Sequence, residues 1–240
     1  LVVMQRSDLK VTASLAMGKN SHIEGFTWVS PNRLIMSMSM KFGSEDTPHL
    51  TGELYGINAD GSGNGLLVGQ RKQVLRAGSR IQPAKTQDVV ATLVDDLKGD
   101  DNNVIVAISL FGDDPVTRAE KMDVRNGRRV LITRAPVRNA TFTTDNSGVV
   151  RFARGAGSDN NNKLYYRAGD EAEWRQINDE SADGYREFPL GFSADDKIAY
   201  LRVEKQEGPD AIAAYDTVTG KQTELLRDAV QNEGIQLETF

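Results

Sequence analysis

Catalysis by a serine, a thiolate or a metal centre needs particular side chains at workable spacing, and few of them occur in this chain. Histidine appears twice, as His22 and His49. A Ser-His-Asp arrangement needs a base beside an activated nucleophile and a carboxylate to orient that base. The strained Gly-x-Ser-x-Gly turn that presents such a serine has no match; Gly61-Ser62-Gly63-Asn64-Gly65 comes nearest, with its serine out of place. Both histidines therefore read as surface-loop residues, and no catalytic residue is assigned.

Metal chemistry fares the same way. The chain has no cysteine, which removes disulfides, thiol nucleophiles and zinc-thiolate sites together and leaves the compartment open. Asn58-Ala59-Asp60-Gly61-Ser62-Gly63 partly fits a D-x-[DN]-x-[DN]-G calcium loop. Its twelfth position is Gly69 rather than a bidentate glutamate, so it reads as a hairpin turn built from the usual turn residues. The acidic run Asp95 to Asp101 and the polar run Ser158 to Asn162 have the groups to hold a cation or an amine, and read as solvated loop tips. Met36, Met38 and Met40 alternate, which makes them an inward-facing core set on one strand rather than a cofactor site. No metal or cofactor-binding residue is assigned, and no cofactor is implied.

Hydrophobic residues make up 39% and charged residues 26% of the 240, the ordinary mix of a chain that buries a core. A formal net charge of −5, without a basic stripe, argues against nucleic acid as a partner. No stretch approaches the roughly 20 apolar residues of a membrane helix, so no membrane partner is expected. Leu1-Val2-Val3-Met4-Gln5-Arg6 lacks the pattern of a signal peptide and reads as a strand already under way, with any export signal upstream.

Helical periodicity is hard to find, whereas short apolar runs bounded by Gly, Asn, Asp and Pro recur throughout. One kind of hairpin appears five times: Leu1–Met4 to Val11–Ala13, Glu53–Ile57 to Leu66–Val68, Ala119–Asp123 to Val130–Ile132, Lys163–Tyr166 to Trp174–Ile177, and Ala211–Asp216 to Thr223–Leu226. A second kind alternates with it: Phe26–Val29 to Leu34–Ser37, Asp88–Leu93 to Val104–Ala107, Ala140–Thr143 to Val149–Phe152, and Leu190–Ser193 to Ile198–Leu201. The turn glycines of the first kind, Gly61, Gly127, Gly169 and Gly220, are separated by 66, 42 and 51 residues. Propeller blades repeat every 40 to 50 or so residues, so the long step holds an insertion, part of it the polar loop Asp95 to Asn103. The expected fold is all-β, a β-propeller of four-stranded antiparallel blades. About four to five blades are present and the ring is incomplete; uncovered terminal faces are poorly tolerated in repeat proteins, so residues outside this chain are expected to close it.

Three stretches carry a resemblance. Gly52-Glu53-Leu54-Tyr55-Gly56-Ile57-Asn58-Ala59-Asp60-Gly61-Ser62 resembles the GELY-x-hydrophobic-NADGS hairpin of propellers attached to prolyl oligopeptidase-family serine peptidases. Trp28-Val29-Ser30-Pro31-Asn32-Arg33-Leu34 is similar to that family's W-hydrophobic-S-x-x-RL strand pair. Phe192 to Tyr200 resembles its FS-x-DG hairpin, shared with TolB-type propellers, except that Asp196 stands where the pattern has glycine. The likeness is best to bacterial dipeptidyl aminopeptidase or acylaminoacyl peptidase-like members.

It implies that residues 1–240 are a single propeller domain or a fragment of one, and that the catalytic α/β-hydrolase domain is absent from this chain. The implied role is non-catalytic, gating the access of short peptides to that separate hydrolase domain. The parent protein is then a serine peptidase, periplasmic or cytoplasmic in a bacterium. The alternative is a TolB-like or WD-like scaffold that binds a protein partner and carries no enzyme domain. A carbohydrate-processing ring would need convergent carboxylates, which sequence alone does not place.

Overall fold

Strands stop where Asn, Asp and Gly let the chain reverse, and every hairpin expected above forms in the computed structural model. The structure describes residues 1–43, 46–69, 88–110, 116–205 and 207–227. β1 (Val2–Met4) pairs with β2 (Val11–Ser14) as a two-stranded antiparallel sheet. β3 (Ser21–Ser30), β4 (Arg33–Met40), β5 (His49–Asn58) and β6 (Gly65–Val68) form a four-stranded antiparallel sheet in chain order. β7 (Val89–Asp95), β8 (Asn103–Leu110), β9 (Val116–Asp123), β10 (Arg129–Thr144), β11 (Val150–Ala156), β12 (Asn162–Tyr166) and β13 (Arg175–Asp179) are hydrogen-bonded neighbours, again in chain order. A single helical turn, α1 (Glu180–Asp183), leads into β14 (Tyr185–Phe192), β15 (Ile198–Lys205), β16 (Ala211–Asp216) and β17 (Gln222–Arg227), a second four-stranded antiparallel sheet. The described chain is thus all-β, and two of its antiparallel sheets are four-stranded. No helix among the described residues is long and apolar enough to cross a membrane.

β10 departs from the expected pattern. Its 16 residues serve two successive hairpins, one with β9 and one with β11, where separate strands had been expected at Val130–Ile132 and Ala140–Thr143. Its register against β11 slips between Arg138 and Thr141, and Asn139 takes a left-handed φ of 48° there. The bulge presses the backbone against β11, so that a Cβ on Gly155 would sit 2.2 Å from the Arg138 carbonyl oxygen. Only glycine fits that approach.

The chain divides into two compact units, Leu1–Asp113 with Glu120–Leu131, and Asp114–Ala119 with Ile132–Phe240. In the first, β4 is buried on both faces. Ile35 joins a core with Val29, Leu54, Val104, Val106 and Met122, while Leu34 and Met36 join Val3, Ala13 and Ile57 on the opposite side. A strand covered on both faces reads as a continuous apolar run rather than an alternating one. Met36 and Met38 are fully buried and Met40 half-buried. In the second unit the core is aromatic: Phe152 packs 5.2 Å from Tyr166 and 5.6 Å from Phe192, and Tyr166 packs edge-on at 5.1 Å from Tyr215.

Candidate functional site

The turn end of the β3–β6 sheet holds a polar cavity of about 760 Å³. Its walls come from the Ser30-Pro31-Asn32 turn between β3 and β4, the Asn58 to Asp60 turn after β5, Thr12 on β2, and the loop residues Asp101 and Arg125. Arg33 organises these pieces. As the first residue of β4 it turns inward and is only 5% exposed. Its Nε and Nη2 donate to the Val124 carbonyl at 3.0 and 2.8 Å, and its Nη1 donates to Asn58 Oδ1 at 3.1 Å and the Gly63 carbonyl at 2.7 Å. The slot exists because residue 56 lacks a side chain: a Cβ there would lie 2.2 Å from Arg33 Nη2. Burial lowers the Arg33 pKa, nearby Arg125 lowers it further, and Asp123 opposes both.

Around this brace the turns close on themselves. Thr12 donates its hydroxyl to the Ala59 carbonyl at 2.6 Å, and the Ala59 N–H donates to the Asn32 carbonyl at 3.0 Å. Asp60 accepts from the Ser62 hydroxyl and N–H at 2.6 and 2.9 Å, which holds its carboxyl below the usual range. Asp60, Asp101 and Arg125 are exposed and give the cavity both signs of charge. The arrangement suits hydrogen bonding to a small polar or zwitterionic group.

A second cavity, about 420 Å³, is mainly apolar and lies over β3, β4, β5 and β7. Phe26, Met38, Leu50 and Leu93 line it, with Glu24 and Glu53 among the polar groups. Phe26 is 57% exposed, and Trp28, two residues on, is 43% exposed.

The candidates singled out in the sequence fall as follows. His22 and His49 are both exposed and flank β4 at its Ser39–Met40 end, whereas the polar cavity lies at its Arg33 end. The Asn58 to Gly63 stretch is a hairpin turn, closed by Asn58 N–H to the Ser62 carbonyl at 2.9 Å. The Asp95 to Asp101 run bonds mainly within its loop: Asp95 accepts from the Leu97 N–H, and Asp100 accepts from Asn102 and Asn103 while pairing with Lys121 at 2.9 Å. That pairing holds the Asp100 carboxyl at about 2. In the Ser158 to Asn162 run, Asn162 bridges Arg154 and Glu180. Among the described residues no three His, Asp or Glu side chains are placed to share a metal ion.

Sequence reasoning named Arg33 only as a motif letter and passed over a matching brace in the second unit. There Arg151 Nη1 pairs with Asp145 at 2.8 Å, its Nη2 donates to the Tyr166 hydroxyl, and its Nε donates to the Arg167 carbonyl at 3.0 Å. An arginine just after an inner turn is the signal that links the two. The neighbouring turn adds Asp196, whose carboxylate accepts from the Asn146 N–H and Nδ2 at 3.0 and 2.7 Å.

The all-β chain with its four-stranded antiparallel sheets is consistent with the blades of a β-propeller. No protein-family profile matches the chain, and no curated protein matches it. Among solved structures it is similar to TolB from Acinetobacter baumannii, with a TM-score of 0.44 and 16% identity over 81% of this chain and 41% of that one. The chain spans about two fifths of the length of that structure.

Proposed function

We propose that the chain is the propeller portion of a prolyl oligopeptidase-family serine peptidase, non-catalytic itself, which admits short peptides to a separate α/β-hydrolase domain and excludes folded chains by shape. In this reading residues 1–240 are one propeller domain or part of one, the hydrolase domain is the partner, and short peptides are the ligands. The supporting observation is that the two stretches most similar to that family, Trp28 to Leu34 and Gly52 to Ser62, form adjoining strand pairs whose turns wall one polar cavity around Arg33. Asp60, Asp101 and Arg125 supply the charges that hydrogen-bond peptide ends.

Expression of the whole reading frame tests this. Hydrolysis of aminoacyl-naphthylamides is expected, with loss of activity when the hydrolase-domain serine is replaced by alanine. Replacing Asp60 and Arg125 together by alanine is expected to raise KM for tripeptides several-fold while kcat stays unchanged. A reading frame without a hydrolase domain sinks the proposal. The four-stranded sheets by themselves support the coarser reading, a propeller scaffold. Phe26 and Trp28, exposed on the edge strand β3, favour a protein-binding face in that case. Loss of a partner on changing both residues to serine is its test.

A further inference from the structure

Three guanidinium groups of the second unit converge on one phenylalanine ring. Their central carbons lie 4.3 Å (Arg154), 4.8 Å (Arg202) and 5.8 Å (Arg186) from the centroid of Phe188. Strand register accounts for two of them. Phe188 stands opposite Arg202 and Arg186 opposite Glu204 across the β14–β15 ladder, so alternate residues of both strands share a face. Arg154 reaches the same ring from β11.

The charges on this face do not balance. Glu204 pairs with Arg202 at 2.6 Å and with Arg186 at 3.1 Å. Glu180 Oε1 approaches Arg186 only to 3.9 Å, and its Oε2 accepts from the N–H and Nδ2 of Asn162, both at 2.9 Å. The Arg154 guanidinium makes one hydrogen bond, to Asn162 Oδ1 at 2.8 Å, and has no carboxylate within ion-pair distance among the described residues. Arg202 Nε is buried with no acceptor. Burial lowers the Arg154 pKa, Arg186 and Arg202 lower it further, and only Glu204 opposes them. A partly buried cation crowded by like charges is unfavourable unless a counter-charge reaches it. A guanidinium keeps its charge at any workable pH, so deprotonation does not relieve it.

We propose that this face of β11, β14 and β15 binds a small oxyanion, a carboxylate or a phosphate, whose oxygens accept from the unpaired N–H groups of Arg154 and the more exposed Arg186. Arginine forks match the planar geometry of such groups, and Phe188 holds the three forks at a fixed spacing. The site stands whether or not a hydrolase domain follows, since it uses none of the residues of the polar cavity.

Calorimetric titration of the full chain with inorganic phosphate, and separately with N-acetylalanine as a terminal carboxylate on a neutral stem, tests this at ionic strength matched with sodium chloride. Saturable binding of one probe, weakened at least about tenfold by Arg154→Gln, supports the site and identifies the source of the anion. Arg186→Gln, at a more exposed position, is the second variant should the first fail to fold, and is expected to weaken the same probe. If neither probe binds above the chloride control, or if binding is unchanged in the folded variants, the proposal is overturned.

Discussion

Arg33 shows how one side chain turns a sequence motif into a built cavity. Four hydrogen bonds fix its guanidinium to two carbonyls and a side-chain amide, and the Val124 carbonyl is buried. Replacement by methionine keeps much of the volume but strands those acceptors, and the buried Val124 carbonyl, left unmet, costs about 1 to 3 kcal/mol. Arg33→Met is therefore expected to lose about 1 to 3 kcal/mol in urea unfolding. Arg33→Lys should recover less than half of that, because one ammonium cannot address all three acceptors at once. A loss below about 1 kcal/mol would mean that water satisfies the acceptors. The motif letter was visible in the sequence, but its main partner lies 91 residues away, and no local pattern encodes that pairing.

At the scale of elements, turn chemistry carried most of the legibility. Asn, Asp and Gly set the strand ends because their backbones tolerate the reversal, so each hairpin was recoverable from short windows. Two elements were not. β10 runs unbroken because Asn139 forms a bulge inside the strand instead of ending it. α1 is one turn of four residues, shorter than any helical periodicity, although its Asp179 cap and left-handed Gly184 are ordinary helix-end residues.

Asp196 shows how a departure from a pattern gains meaning in the structure. It adopts a left-handed φ of 58° in the position where the resembling hairpins carry glycine. The strain is offset by its carboxylate, which holds Asn146 of the neighbouring turn. A double-mutant cycle with Asn146→Ala and Asp196→Ala should return a coupling of about 0.5 to 1 kcal/mol. Strictly additive effects would mean that the two turns are stabilised separately.

For the whole molecule, the titratable groups pull stability in two directions with pH. Lys121 holds Asp100 at about 2, and Lys163 with Ser181 holds Asp179 at about 2, against an ordinary value of 3.8. Groups lowered in the folded state contribute stability that is present above 3.8 and is lost as pH falls toward 2. Glu187 has the opposite sign. It is buried, accepts from Gln222, and leaves Oε2 without a partner, and burial raises its pKa above the ordinary 4.5. Its contribution is complete below 4.5 and fades as pH rises through the raised folded value. Thermal unfolding of the wild type is therefore expected to weaken on the acid side between about 4 and 2, and the Glu187→Gln variant to follow it there. Above pH 4.5 the variant should pull ahead by a margin that widens as pH rises through the raised folded value and is constant beyond it, because its amide carries no charge to bury. A difference between the two proteins that stays constant with pH would mean that Glu187 keeps the same charge folded and unfolded, and that its burial is compensated by contacts other than Gln222.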